Sequence, residues 1–127
     1  MGSALALVGC GGAGDAITFK LDPRHRSGLD AVVTLVPAAG AASRLTIDLT
    51  DPAPRDVTAA VYRGTCAELP TSRVSAKTPV HGTQARLRVP EPPPALGRRE
   101  RAVALKRHGD LLACGDVPPG RAAARGL

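Results

Sequence analysis

Aromatic side chains are nearly absent: Phe19 and Tyr62 stand alone among 127 residues, and tryptophan is missing. That scarcity weighs against recognition of single-stranded nucleic acid, which uses aromatic platforms between basic residues. No zinc-finger spacing, basic helix or glycine-rich phosphate loop is present either. No nucleic-acid partner is therefore expected, although the formal net charge is +6. Long apolar runs are also lacking. No stretch approaches the roughly 20 apolar residues of a membrane-spanning helix, and none sustains a helical period. Serines with a recognisable base beside them, a Gly-x-Ser-x-Gly elbow and a pair of carboxylates placed for glycoside hydrolysis are all missing. Hydrolase chemistry is accordingly not expected, nor is a cofactor.

What is present is Ala, Val and Leu among turn formers, with 43% hydrophobic residues, 14 Gly and 12 Pro. The length suits one domain with one core. Residues 16–22 alternate, with Ile17, Phe19 and Leu21 on one face. A second strand is expected over 31–36, and a third over 43–49 with Leu45, Ile47 and Leu49 inward. Val57, Ala59 and Val61 mark one face of a fourth over 57–63, and a weak strand is expected near 73–80. The clearest alternation is at 83–89, where Ala85, Leu87 and Val89 interleave with Gln84, Arg86 and Arg88. Residues 90–94 read as a rigid proline crossover. Residues 101–107 and 110–114 read as a final hairpin around His108-Gly109. About eight short strands at this spacing predict an all-β, antiparallel sandwich or barrel over 16–117. Residues 118–127 carry no packing pattern and are expected to form a disordered tail.

The N-terminal segment, 1–15, reads as a lipoprotein-type signal and tether. Leu7-Val8-Gly9-Cys10 matches the bacterial lipobox, and Gly11-Gly12-Ala13-Gly14-Asp15 follows as a flexible spacer. Cys10 is then the lipidation site, and membrane contact is expected only through that lipid. Residues 1–3 lack the basic charge of an export signal, so the start of translation lies upstream or Cys10 is an incidental cysteine. With Cys10 given to lipid, Cys66 and Cys114 remain, an even number that suits a disulfide in an oxidising compartment. A pair of inert core thiols is the competing reading.

Two segments carry a resemblance: residues 57–66, ending Val61-Tyr62-Arg63-Gly64-Thr65-Cys66, and Leu111-Leu112-Ala113-Cys114-Gly115-Asp116-Val117. They resemble bacterial secreted β-sandwich proteins akin to Cu/Zn superoxide dismutases and chordin-type (CHRD) domains. In those, a strand bearing a His-x-His pair leads to a cysteine that bonds a second one in an Ala-Cys-Gly motif. The resemblance implies a superoxide dismutase-like Greek-key sandwich, a Cys66–Cys114 bond and an extracytoplasmic address. It does not carry over the chemistry, because Ala60 and Tyr62 stand at the histidine positions and Lys106 where some relatives have a further one.

Two groups remain as candidates. His25, His81 and His108 each fall in an expected turn at one pole of the sandwich and are weak ligands for copper or zinc. The alternative is that they are simply exposed turn residues. Arg98, Arg99, Arg101, Lys106 and Arg107 are the densest charge and a candidate docking patch for an acidic partner or for phosphate groups. Solvation, or protection of an edge strand by charge, is the competing reading. The resulting expectation is a non-catalytic binding or structural module at the cell envelope with an unknown envelope or extracellular partner. Its alternative is a copper- or zinc-binding relative of the dismutases.

Overall fold

A computed structural model describes residues 16–119; the lipobox, its Cys10 and residues 120–127 lie outside them. Eight antiparallel strands form one nearly closed sheet: β1 Ile17–Pro23, β2 Ala31–Ala38, β3 Ala42–Leu49, β4 Val57–Arg63, β5 Thr78–Pro79, β6 Gln84–Val89, β7 Arg101–Arg107 and β8 Asp110–Asp116. Their spatial order is β5-β4-β7-β8-β1-β2-β3-β6. Two long connections, β3 to β4 and β6 to β7, cross from one half of the sheet to the other, as Greek-key connections do. β1 belongs to both halves, pairing with β2 through Ile17–Leu21 positions and with β8 through Asp22 and Pro23.

The period-two pattern sets the register. Leu35 lies opposite Leu45 and Leu45 opposite Leu87, while Val33, Ile47 and Ala85 form the next row. A one-residue slip would turn this whole set to water, so the pairing is strongly specified. From the other half Val57, Ala59, Val61, Val103, Leu105 and Ala113 meet these rows in one core. Every side chain in it except Phe19 is aliphatic.

The β6–β7 crossover contains a helical turn, α1, Pro93–Arg98. Sequence reading expected only a rigid crossover over 90–94. Proline at the first helical positions loses no intrahelical bond and has its φ already set, so it starts this turn. Leu96 seats the turn in the core. Val117 and Pro118–Pro119 also pack: the Val117 N–H donates to the Arg101 carbonyl at 2.8 Å, and a side chain at Gly97 would collide with Pro118 and Pro119. Pro118 and Pro119, expected to belong to the tail, thus lie against α1.

The weak strand of 73–80 is a broken edge beside β4. Val74 N–H donates to Val61 O at 2.8 Å and Val80 N–H to Val57 O at 2.9 Å. Between them the Ser75 hydroxyl accepts the Val61 N–H at 2.9 Å in place of a backbone carbonyl. Only Thr78–Pro79 keeps regular pairing.

A second, smaller cluster lies on the opposite face of β4, β7 and β8. Ala60, Tyr62, Ala102, Ala104, Cys66 and Cys114 are buried there, with Leu69 and Leu111 against them. The loop after β4 makes this possible by folding back over the sheet. Cys66, in a 3-10 turn over Cys66–Glu68, is bonded to Cys114 of β8, with Cα atoms 6.0 Å apart. Each residue of Ala113-Cys114-Gly115-Asp116 has its own task. Ala113 fills the main core, Cys114 holds the loop, and Asp116 Oδ1 accepts the Cys66 N–H at 2.7 Å. At Gly115 a Cβ would stand 2.6 Å from the Lys20 carbonyl, so only glycine lets β1 approach β8.

Candidate functional site

Strand directions follow from the antiparallel pairings. The β1–β2, β3–β4, β5–β6 and β7–β8 connections share one pole, and His25, His81 and His108 all lie there, exposed. The structure does not converge them. Among the described residues no group of three or more His, Cys, Asp or Glu side chains is placed to hold a metal. His108 instead faces Asp56, with Nε2 3.6 Å from Oδ2. His108 and Gly109, at φ of 51° and 86°, form the two-residue turn of the β7–β8 hairpin, a positive-φ pair that suits strand twist.

The proposed docking patch is not one surface. β7 separates Arg101, at its start, from Lys106 and Arg107 by about 17–20 Å of extended chain. Arg98 and Arg99 lie near Arg101, at the pole opposite the three histidines. Arg101 is buried, and its charge is committed. Its Nε and Nη2 each donate to Glu91 at 2.9 Å, and Nη1 donates to the Arg99 carbonyl at 3.0 Å. Arg99 Nη1 joins the same carboxylate at 3.0 Å. The Arg101 hydrogen bonds lead in holding the Glu91 carboxyl below its usual range; partial burial opposes them, and Arg99 adds to the lowering. This cluster pins the β6–β7 crossover to the barrel, aided by the Ser43 hydroxyl donating to the Glu91 carbonyl at 2.6 Å. Its role is structural.

A cleft opens on the outer face of β4 and β7. It has a volume of about 690 Å³ and runs from Thr71 and Ser72 to Asp56, His108 and Gly109. One wall is β4 and β7, carrying Thr58, Tyr62 and Lys106; the other is the broken edge, carrying Arg73 and Lys77. Tyr62 is bridged to Arg73 in antiparallel register, which places both on this face. On the other flank, Lys106 Nζ stands 4.6 Å from the centre of the Tyr62 ring, a cation–π contact. Burial pushes the Tyr62 phenol above its ordinary range, with Arg73 pulling it partly back. The phenol is therefore a neutral hydrogen-bond donor at physiological pH. Arg73, Lys77 and Lys106 have no carboxylate partner among the described residues.

Sequence reading missed this site. It grouped Lys106 with the arginines at 98–107, whereas the structure sets Lys106 in the cleft lining, and Arg73 and Lys77 sat in a strand too irregular to assign a face. The available signal was the position of the only tyrosine, one strand residue before a run leading to Cys66. The positions at which the dismutase resemblance puts histidines, 60, 62 and 106, do lie on this one face. They carry a methyl group, a phenol and an ammonium ion, a set that repels rather than ligates a metal cation.

No family model matches this chain, and neither a curated protein nor a solved structure matches it.

Proposed function

We propose that this chain is an exported, lipid-anchored binding module without catalytic chemistry, and that the cleft along β4 is its binding site. The observation that carries the reading is the cleft's construction. A disulfide-held loop leads into one wall, and three cations without a carboxylate partner among the described residues stand around a buried tyrosine. The Cys66–Cys114 bond supports an oxidising compartment, since such bonds rarely persist in the cytosol. The lipobox ending at Cys10 supports an anchor. A distant likeness to the dismutase and CHRD sandwiches agrees with eight antiparallel strands and with a bond from the end of β4 to β8. The copper- or zinc-binding alternative has no comparable support, because it needs converging imidazoles.

The test uses the chain's three lysines, Lys20, Lys77 and Lys106. Lys20 lies outside the cleft and serves as an internal control. Amine acylation is read by mass with and without an envelope extract. Protection of Lys77 and Lys106, but not of Lys20, is the expected result. Equal labelling of all three with and without extract would overturn the binding reading. Export is tested separately: Cys10→Ala should move the protein from the membrane fraction to the soluble one.

A further inference from the structure

We propose that the cleft binds a doubly charged oxyanion, inorganic phosphate or a phosphate monoester, between Arg73, Lys77 and Lys106. The inference rests on the reading of the cleft as the binding site and names its ligand class.

Charge comes first. Among the described residues three cations line the cleft against a single carboxylate, Asp56, which lies at one end facing His108. The surplus of about two positive charges matches a dianion, whereas a monoanion leaves half of it uncompensated. A metal ion is repelled by the same surplus. Nothing in the cleft favours a stacked base: Lys106 already covers the Tyr62 ring, and the His108 ring at the far end faces Asp56.

Hydrogen-bonding capacity agrees. The Tyr62 phenol stays protonated and can donate, and the Thr58 and Ser72 hydroxyls have no protein acceptor among the described residues. The Thr71 hydroxyl, by contrast, is committed to the Arg63 carbonyl at 2.6 Å. A tetrahedral oxyanion has enough lone pairs for an arginine fork, two ammonium ions and neighbouring hydroxyls together.

The site is also held in shape before any ligand arrives. The carbonyl of Ser72 accepts the Arg63 N–H at 2.9 Å, and the Val74 N–H donates to Val61, so the backbone on both sides of Arg73 is tied to β4. Lys106 is steadied by the ring beneath it. Preorganised donors spare a ligand the cost of ordering them.

Tyr62 is the only tyrosine and tryptophan is absent, so its emission reports on the cleft alone. The full chain is titrated at low ionic strength with inorganic phosphate, glycerol phosphate and acetate, following Tyr62 emission and heat. Saturable binding of either phosphate, with acetate at least tenfold weaker, is the expected result. Lys106→Met, which keeps the aliphatic stem, and Arg73→Gln should each weaken binding by about tenfold or more; Lys20→Met should not. Vesicles of phosphatidic acid in phosphatidylcholine separate the sources. Binding to these with none to the soluble phosphates assigns the monoester to a lipid headgroup. No response to any phosphate, an equal response to acetate, or unchanged binding by both cleft variants would overturn the proposal. If Lys77 and Lys106 are still protected by envelope extract in that case, the ligand class fails while the binding site stands.

Discussion

Replacing Glu91 should expose how much of the β6–β7 crossover rests on one carboxylate. Glu91→Gln removes the charge opposing Arg101, whose side chain is only 8% exposed, while that of Glu91 is 13% exposed. Breaking a buried ion pair from one side costs about 3–5 kcal/mol. The residual exposure, and the Arg99 and Glu100 carbonyls that still accept from Arg101 at 3.0 and 3.3 Å, soften the loss. We expect about 2–3 kcal/mol, and a fall in melting temperature of roughly 10 °C or more for a domain of this size. Urea denaturation followed by Tyr62 emission measures it. Arg101→Met should cost less than Glu91→Gln, since Glu91 keeps Arg99 and no buried charge is stranded. The double variant should be more stable than Glu91→Gln alone.

Acid provides the second arm of that test. The Glu91 carboxyl titrates below its ordinary value of 4.5 in the folded chain. On acidification the unfolded chain therefore takes up its proton first. The stabilising contribution is complete above 4.5 and fades as pH falls through the folded value. Stability of Glu91→Gln should thus fall less steeply over this window than that of the parent. A Glu91→Gln variant within 0.5 kcal/mol of the parent (about the spread of an ordinary surface change), with the same acid profile, would refute the reasoning.

Three further outcomes are expected. Removing the disulfide as Cys66→Ala/Cys114→Ala opens a loop spanning a sequence separation of 48, worth about 4 kcal/mol by chain entropy; a loss of 2–4 kcal/mol in urea melts is expected, and none would contradict it. Tyr62 ionises above 10.0 in the folded chain because burial raises it. Its contribution to stability is whole below 10.0 and is lost as pH rises through the folded value, which ultraviolet difference absorbance and alkaline melts should show together. Arg44 lies directly opposite Arg88 in the β3–β6 ladder, a like-charge pair that destabilises a sheet. Arg44→Glu should therefore gain about 0.2–1 kcal/mol at low salt and less in high salt.

Strand positions were legible wherever one face is buried and the other is wet. β1, β3 and β6 show this, with Leu45, Ile47 and Leu49 or Ala85, Leu87 and Val89 reading directly as the inner face. β4 did not read so simply. Ala60 and Tyr62 are buried on its second face by a covering loop that has no periodicity to announce it. α1 was hidden because a single turn begun by proline has too few residues to show a helical period. β5 was shortened because the Ser75 side chain replaces a backbone partner, and no propensity records such a substitution. The expected arginine patch failed for a geometric reason. Neighbours in sequence along an extended strand separate by about 3.3 Å per residue, so a dense run of charge is not a dense patch. Lys106 gained cleft partners from the 73–77 segment instead.

The second cluster lies beside the cleft and shares Tyr62 with its lining. The main core draws on both halves of the sheet and includes none of Ala60, Tyr62, Ala102, Ala104 or the two cysteines. The barrel could bury its apolar rows without them. Strip away the loop after β4, and that outer face becomes a patch of methyl groups, one ring and a sulfur atom open to water. With the loop in place, the small side chains at 60, 102 and 104 leave room for Tyr62 to lie along the sheet. Lys106 can then reach its ring from one side while Arg73 flanks it from the other. The covalent bond and the Asp116 carboxylate thus both hold the loop after β4, which runs on through Thr71 and Ser72 into the lining of the cleft. The main core contains neither this loop's cysteine nor its partner, which supports the proposal of a binding site in the cleft rather than at the histidine-bearing pole.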